Sequence, residues 1–407
     1  MAPELYVEGR PAAGLARQFG TPLYVYSRAL MLERLQSLRS AFKRPDTLVC
    51  YALKANPNRS VCRVLAEQGI GAEVVSGGEI IRALAAGFPP QRTVFSGVGK
   101  SEDELKLGLR RGILTFNVES VEELDALERV ARRLRRPAPF SIRLNPGVEA
   151  RTHPDVATGR AESKFGVEAA ETLELARRGR SGRWLRFQGL QCHIGSQIRD
   201  LAPFRRAAGA VADVLRRLEG EGQGFSLIDM GGGFGVSYTG EPALDCTGLA
   251  RDFARQFAPW PSARLLIEPG RYLVAGAGVL LTKVLYRKKT LHRNFVVVDA
   301  AMNDLPRPAL YGSIHRIAPV RRRAGASCLV DVVGPVCESG DFLARGMRLP
   351  PVEPEDILAI FMAGAYGFAM SSQYNSRPRA AEVLVSGRTA RLVRRRETIV
   401  DVVRCEI

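Results

Sequence analysis

The chain has 407 residues, enough for roughly two or three domains and a large core, so a miniature disulfide scaffold is excluded. Its 46% hydrophobic, 25% charged and 7% aromatic residues match a folded globular protein rather than a disordered or collagen-like chain. The net charge of +17 comes from dispersed arginines, with eight lysines and no interleaved aromatics, and reads as a solvated surface rather than a nucleic-acid or membrane footprint.

In chain order, the first thirty residues carry strand-like LYVEG and TPLYVYS. From about residue 45 short β-branched or aromatic runs alternate with stretches of helical period. Eight such runs occur: TLVCYALK (47–54), GAEVVS (71–76), RTVFSG (92–97), LTFNVES (114–120), PFSIRLN (139–145), FQGLQCHIG (187–195), FSLIDMGGG (225–233) and ARLLIEPG (263–270). Between them lie helix candidates such as SVEELDALERVARRL, with Ser120 as N-cap and Glu123 three residues on. Eight strands each followed by a helix predict a (β/α)8 TIM-like barrel, whose active-site residues sit at the C-terminal strand ends. Lys54, Ser76, Ser96, Glu119, Asn145, His193, Gly231 to Gly233 and Glu268 all fall there. An open doubly wound sheet would alternate in the same way, so the count of eight decides for the barrel.

After Arg271 the runs lose their helices: VLLTKVLYRKK, NFVVVDAA, SCLVDVVG, ILAIFMAGA, AAEVLVSG, TARLVRRR and TIVDVV. The prediction is a barrel over residues 30–275 and a β-sandwich or β-barrel-like domain from residues 1–29 plus 276–407, with the barrel inserted between its two parts. The seven cysteines are odd in number and form no CxxC pair, which points to reduced thiols in the cytoplasm and writes no metal site. MAPELYVEGR lacks the apolar segment of a signal peptide, and the longest apolar stretch, Tyr272 to Leu281, is too short to span a bilayer.

Four motifs carry chemistry. Lys54 ends the first barrel strand, where a desolvated amine can form a Schiff base with a carbonyl group; a snorkelling surface lysine is the alternative. DMGGGFG (229–235) can cradle a phosphate on free backbone N–H groups, or be a tight strand-to-helix turn. It is neither a GxGxxG fingerprint nor a Walker loop. HIGSQ (193–197) offers an imidazole to stack on a flat ring and Ser196 to reach a phosphate, although a lone core histidine is the commoner case. EPGR (268–271) supplies Glu268, which can keep a pyridine nitrogen protonated, and Arg271, a bidentate carboxylate receptor, unless the two form a structural pair. Jointly these describe a pyridoxal 5'-phosphate site.

GTPLYVYS (20–27), YALKAN, SGGE, FSGVGKS, FNVES, RLNP, THP, KFG, CHIGSQ, GGGFG, EPGR, DAAMNDLPRPALY, GPVCESGDFL, GAYGFAMSSQYNSRPR and RRRET run in that order through nearly the whole chain. In this order the chain resembles the meso-diaminopimelate decarboxylases, within the alanine racemase-like and ornithine decarboxylase-like group of pyridoxal phosphate enzymes. The resemblance implies that Lys54 binds the cofactor covalently and His193 stacks on it. Ser196, Gly231, Gly232, Gly233 and the Gly270–Arg271 backbone would hold the phosphate, and Glu268 would face the ring nitrogen. Arg271, Arg307 and Tyr311 would grip substrate carboxylate, Glu338 the far amino group, and Tyr366 would lie over cofactor and substrate. Cys337 would deliver or steer the proton returned to Cα.

The family shares its sites across a homodimer, so Cys337 and Glu338 would reach the partner's pocket, and its product is L-lysine. A decarboxylase of ornithine, lysine, arginine, carboxynorspermidine or a carrier-bound amino acid keeps the same chemistry, but has less use for a second carboxylate clamp at Arg307 and Tyr311. A cofactor-free regulatory homologue would lack Lys54 or Cys337, and both are present. The arginine bias is the visible departure from the family and disturbs no motif.

Overall fold

The structure, a computed structural model, describes residues 4–44, 46–149 and 163–407; the THP motif at 152–154 lies outside them. It forms two compact units, one of Leu35–Val236 and Pro242–Tyr272, the other of Met1–Arg34, Ser237–Glu241 and Leu273–Ile407.

In the first unit the eight apolar runs become Leu48–Ala52, Gly71–Val74, Thr93–Phe95, Thr115–Val118, Ala138–Arg143, Leu185–Gln191, Leu227–Asp229 and Arg264–Ile267. Each pairs parallel with the next, and the last closes on the first through Leu266 opposite Leu48 and Ile267 opposite Val49. That closure rules out the open sheet. The strands are buried along nearly their whole length because side chains on both faces are covered, alternately by the barrel interior and by the helices. Leu48, Cys50, Val94, Leu227 and Leu266 form one interior cluster.

Serines start three of the helices. Ser76 Oγ accepts from Glu79 N, and Ser101 forms a reciprocal capping box with Glu104. Ser120 accepts from Glu123 N as its spacing predicts, but the Glu123 carboxylate turns elsewhere, to Glu119 N and to Lys100 Nζ at 2.6 Å. Every strand ends one or two residues before the polar residue assigned to its C-terminal end, so Lys54, Ser76, Ser96, Glu119, Asn145, His193, Gly231 and Glu268 share one rim of the barrel.

In the second unit Leu23–Ser27 lies between Gly278–Lys289, to which it is antiparallel, and Ala381–Ser386, to which it is parallel. Gly278–Lys289 pairs along its first half with Leu23–Ser27 and Ile357–Ile360, and along its second half with Asn294–Val298. A register shift between Val284 and Tyr286 lets this one strand change partners, as bulges do where sheets turn a corner. Leu15, Leu23, Val25, Leu281, Val383 and Val385 pack in its core.

One sequence expectation fails in this unit, and one strand goes unpredicted. TIVDVV is not a strand: Thr398 and Asp401 form a capping box that starts the helix Ile399–Val403. FLARGMRL, too rich in charge and glycine to read as a strand, is one (Phe342–Leu349), held by pairing with Cys328–Val333. All seven cysteines are free thiols. No helix among the described residues is long and apolar enough to cross a membrane.

Candidate active site

Lys54 sits in a single 3-10 turn, Leu53–Ala55, directly after the first barrel strand. Tyr51 Oη donates to Asn56 O at 3.0 Å, and Asn58 caps the next helix through Ser60 N, so the turn is pinned on both sides. Gly270 packs against it: a Cβ there would stand 3.0 Å from the Cβ atoms of both Ala52 and Ala55. The amine is not the desolvated group expected. Its side chain is 34% exposed and Nζ lies 2.6 Å from Oε2 of Glu73, which is buried in the second strand.

Glu73 was not singled out in the sequence. Its signal was there, a lone acid inside the apolar run GAEVV, where an unpaired carboxylate is too costly to bury without a function or a partner.

Across the end of the seventh and eighth strands two more acids are buried. Glu268 is 3% exposed and Asp229 is 2% exposed. Burial, followed by the neighbouring charges of Asp229 and Glu73, pushes the Glu268 carboxyl well above its usual range. Burial also raises Asp229 to about 6, opposed by a hydrogen bond from Glu268 and another from Gly231 N. Neither Glu268 Oε1 nor Asp229 Oδ2 has an N–H donor. Gln191 Nε2 reaches Glu268 Oε2 at 3.3 Å.

His193 follows the sixth strand and accepts a hydrogen bond at Nδ1 from Gly232 N at 3.1 Å. The imidazole proton is therefore on Nε2. Burial, then the positive charges of Lys54 and Arg143, hold the ring well below the usual histidine range, so it is neutral. The glycine run is dictated by close approach. A Cβ at Gly232 would lie 2.1 Å from Glu268 O, and one at Gly233, where φ is +90, 2.2 Å from Gly195 O.

This corrects the idea of three free N–H groups. Gly231 N donates to Asp229 Oδ1 at 2.9 Å and Gly232 N to His193, so both are committed to the protein's own side chains. At Ser196 the hydroxyl accepts from Arg271 Nη2 at 3.0 Å, which leaves its own proton to donate to an anion.

Arg143, on the fifth strand, also escaped the sequence reading. It is buried, pairs with both oxygens of Glu119 at 3.0 and 3.1 Å, and Glu119 in turn accepts from Gly97 N and Gly166 N. One ion pair thus ties together three strand-end loops.

Lys54, His193, Ser196, Gly231 to Gly233, Glu268, Gly270 and Arg271 are brought together in the barrel unit. The other predicted residues belong to the second unit. Arg307, 6% exposed, begins the one-turn helix Arg307–Tyr311, and Tyr311 ends it half-buried. Cys337 and Glu338 are exposed on a loop whose Cys337 N donates to Asn375 Oδ1 at 2.8 Å. Glu338 accepts from the Tyr374 hydroxyl, which raises that phenol. Tyr366 is half-buried at a φ of +56.

What such a barrel rim can do chemically is specific: bind a carbonyl compound on Lys54, give a ring nitrogen an acid partner at Glu268, and cover the ring with a neutral imidazole. Residues 28–275 match the family described as pyridoxal-dependent decarboxylase, pyridoxal binding domain. A diaminopimelate decarboxylase of Pseudomonas aeruginosa is 48% identical over 97% of this chain and 95% of its own, and one of Aquifex aeolicus 44% identical over 97% and 93%. A crystal structure of diaminopimelate decarboxylase from Helicobacter pylori, complexed with L-lysine, superposes with a TM-score of 0.93 at 42% identity, covering 96% of this chain and 98% of that one. The buried acid opposite a lysine at the rim of a closed barrel, and similarity from end to end, place this chain in the diaminopimelate decarboxylase family of pyridoxal-dependent decarboxylases.

Proposed function

We propose that this protein removes CO2 from meso-2,6-diaminopimelate to leave L-lysine, the last step of lysine biosynthesis, with pyridoxal phosphate as cofactor. The observation that carries the reading is the gathering of Lys54, His193 and Glu268 on one barrel rim in a chain similar throughout its length to diaminopimelate decarboxylases. The rim fits the cofactor, since Glu268 Oε1 is buried without an N–H donor and a protonated ring nitrogen is such a donor. When bound, pyridoxal phosphate supplies the electron sink for the bond broken as CO2 leaves.

The chain's own groups do the rest. Lys54 is the amine that would hold the cofactor's aldehyde, and Glu73 Oε2, 2.6 Å from Nζ, orients it. Gly232 fixes the His193 ring by its hydrogen bond to Nδ1, so a neutral flat face is presented rather than a cation. Ser196, Gly233, Gly270 and Arg271 are the groups to hold phosphate, while Gly231 and Gly232 shape the turn. Arg271, Arg307 and Tyr311 bind substrate carboxylate, Glu338 the distal amine, and Tyr366 covers the substrate.

Cys337 returns the proton to Cα. The exposure of Cys337 and Glu338 on this chain supports a homodimer in which both serve the partner's site.

The test is CO2 release from meso-diaminopimelate compared with lysine, ornithine and arginine at equal concentration. Release from meso-diaminopimelate alone is the expected result, and faster release from any basic amino acid overturns the substrate assignment.

A further inference from the structure

We propose that His315 is a positioning residue for Arg307, holding the guanidinium in place through a neutral hydrogen-bond acceptor. The inference rests on the reading of Arg307 as a receptor for substrate carboxylate, and it adds a residue to which no role has been given above.

Locally, the segment RPALYGSIH folds back on itself. Gly312 takes a φ of +58 and ends the helix with its N–H on Arg307 O, so the chain reverses and brings His315 beside the residue that began the helix. His315 is 2% exposed and Arg307 6%. His315 Nδ1 lies 2.8 Å from Phe361 O, and Nε2 lies 2.9 Å from Arg307 Nη1. A carbonyl oxygen can only accept, so Nδ1 carries the proton and Nε2 presents its lone pair to the guanidinium. Each nitrogen then has the one partner its tautomer allows.

Two further contacts fix the fork. Arg307 Nη2 donates to Ser313 Oγ at 3.1 Å, and the guanidinium carbon stands 4.8 Å from the centroid of the Tyr238 ring. The Tyr238 ring meets His315 edge-on, with centroids 5.2 Å apart and planes at 82°. Imidazole, hydroxyl and phenol ring therefore set the position and plane of the guanidinium together.

The chemistry of the anchor matters as much as its geometry. A carboxylate at the position of His315 would hold Arg307 just as firmly, but would neutralise it and compete with the substrate's carboxylate. An imidazole accepting through Nε2 orients the fork without setting a negative charge beside it.

The experiment compares His315→Phe, His315→Gln and Arg307→Ala in the cofactor-loaded enzyme, by KM and kcat for meso-diaminopimelate and by the visible absorbance of bound cofactor. Loss of a charge-assisted hydrogen bond predicts that His315→Phe raises KM about 10- to 100-fold while kcat falls far less. Glutamine can donate to Phe361 O and accept from Arg307, so His315→Gln is expected to recover most of that loss. Arg307→Ala is expected to raise KM further, and adding His315→Phe to it to cost little more.

An unchanged KM in His315→Phe with a raised KM in Arg307→Ala overturns the positioning role and leaves the carboxylate receptor standing. An unchanged KM in Arg307→Ala removes the receptor, and the positioning role with it. Equal loss of absorbance and activity in the phenylalanine and glutamine variants shows a merely structural histidine and also overturns the proposal.

Discussion

Lys54 and Glu268 were legible as candidates because both fall at strand ends beside other polar motifs that point jointly to one chemistry. Their counterparts were not. Glu73 and Asp229 lie inside strands, where the sequence marks them only as odd acids among apolar residues, and the barrel's curvature alone turns them towards the same interior. The result is three buried carboxyls near one amine, of which Glu268 is pushed well above its usual range by burial and then by Asp229. An amide at this position keeps the shape and loses the acid. Glu268→Gln is expected to retain cofactor, read as visible absorbance, while kcat drops by about 10²- to 10³-fold, the range for removing one preorganised electrostatic contact at a reacting centre. Retention of wild-type kcat would remove Glu268 from the chemistry.

The barrel elements follow from patterns that sequence carries well: buried runs of strand length, serines at helix starts and glycine where the chain must turn. The turn at Gly231 to Gly233 shows where the pattern stops. Composition permits either a phosphate cradle or a tight turn, and the structure makes Gly231 and Gly232 a turn whose N–H groups are spent on Asp229 and His193. At Gly233 a methyl group would collide with Gly195 O and face a φ of +90. Gly233→Ala is therefore expected to cost on the order of 3 kcal/mol, lowering Tm and weakening retention of pyridoxal phosphate in the same variant. A variant that keeps wild-type Tm and cofactor affinity would show that the turn has more room than its backbone contacts allow. The segment 398–403 is the opposite case: β-branched residues favour a strand, but Thr398 and Asp401 satisfy the helix's first N–H groups, and that local cap decides.

For the molecule as a whole, stability carries a pH signature from groups outside the barrel. Asp304 is raised from 3.8 to about 7, chiefly by burial. Its native state binds a proton more tightly than its unfolded state, so this group's contribution is fully present below pH 3.8, declines as pH rises to about 7 and is flat above it. Asp304→Asn keeps an acceptor for Ala301 N and removes the titration. The difference in Tm between variant and wild type should grow in favour of the variant across that window, and a constant difference would assign the pH dependence elsewhere. The proposed sharing of sites across a dimer makes a second prediction. Mixed and reassorted, Lys54→Ala and Cys337→Ala proteins, each inactive alone, should recover about one quarter of wild-type activity, because half of the dimers then contain one intact site. No recovery would place Cys337 in its own chain's site.

The sequence by itself determined the class of fold and the family, since strand count, strand-end placement and ordered motifs are properties of a single chain read in order. Only the tertiary structure decided which acids confront Lys54, which glycine N–H groups are already spent, and that His315 returns to Arg307. Those are relations between positions far apart in sequence or folded back by a turn, and burial and charge act through distance in space rather than along the chain.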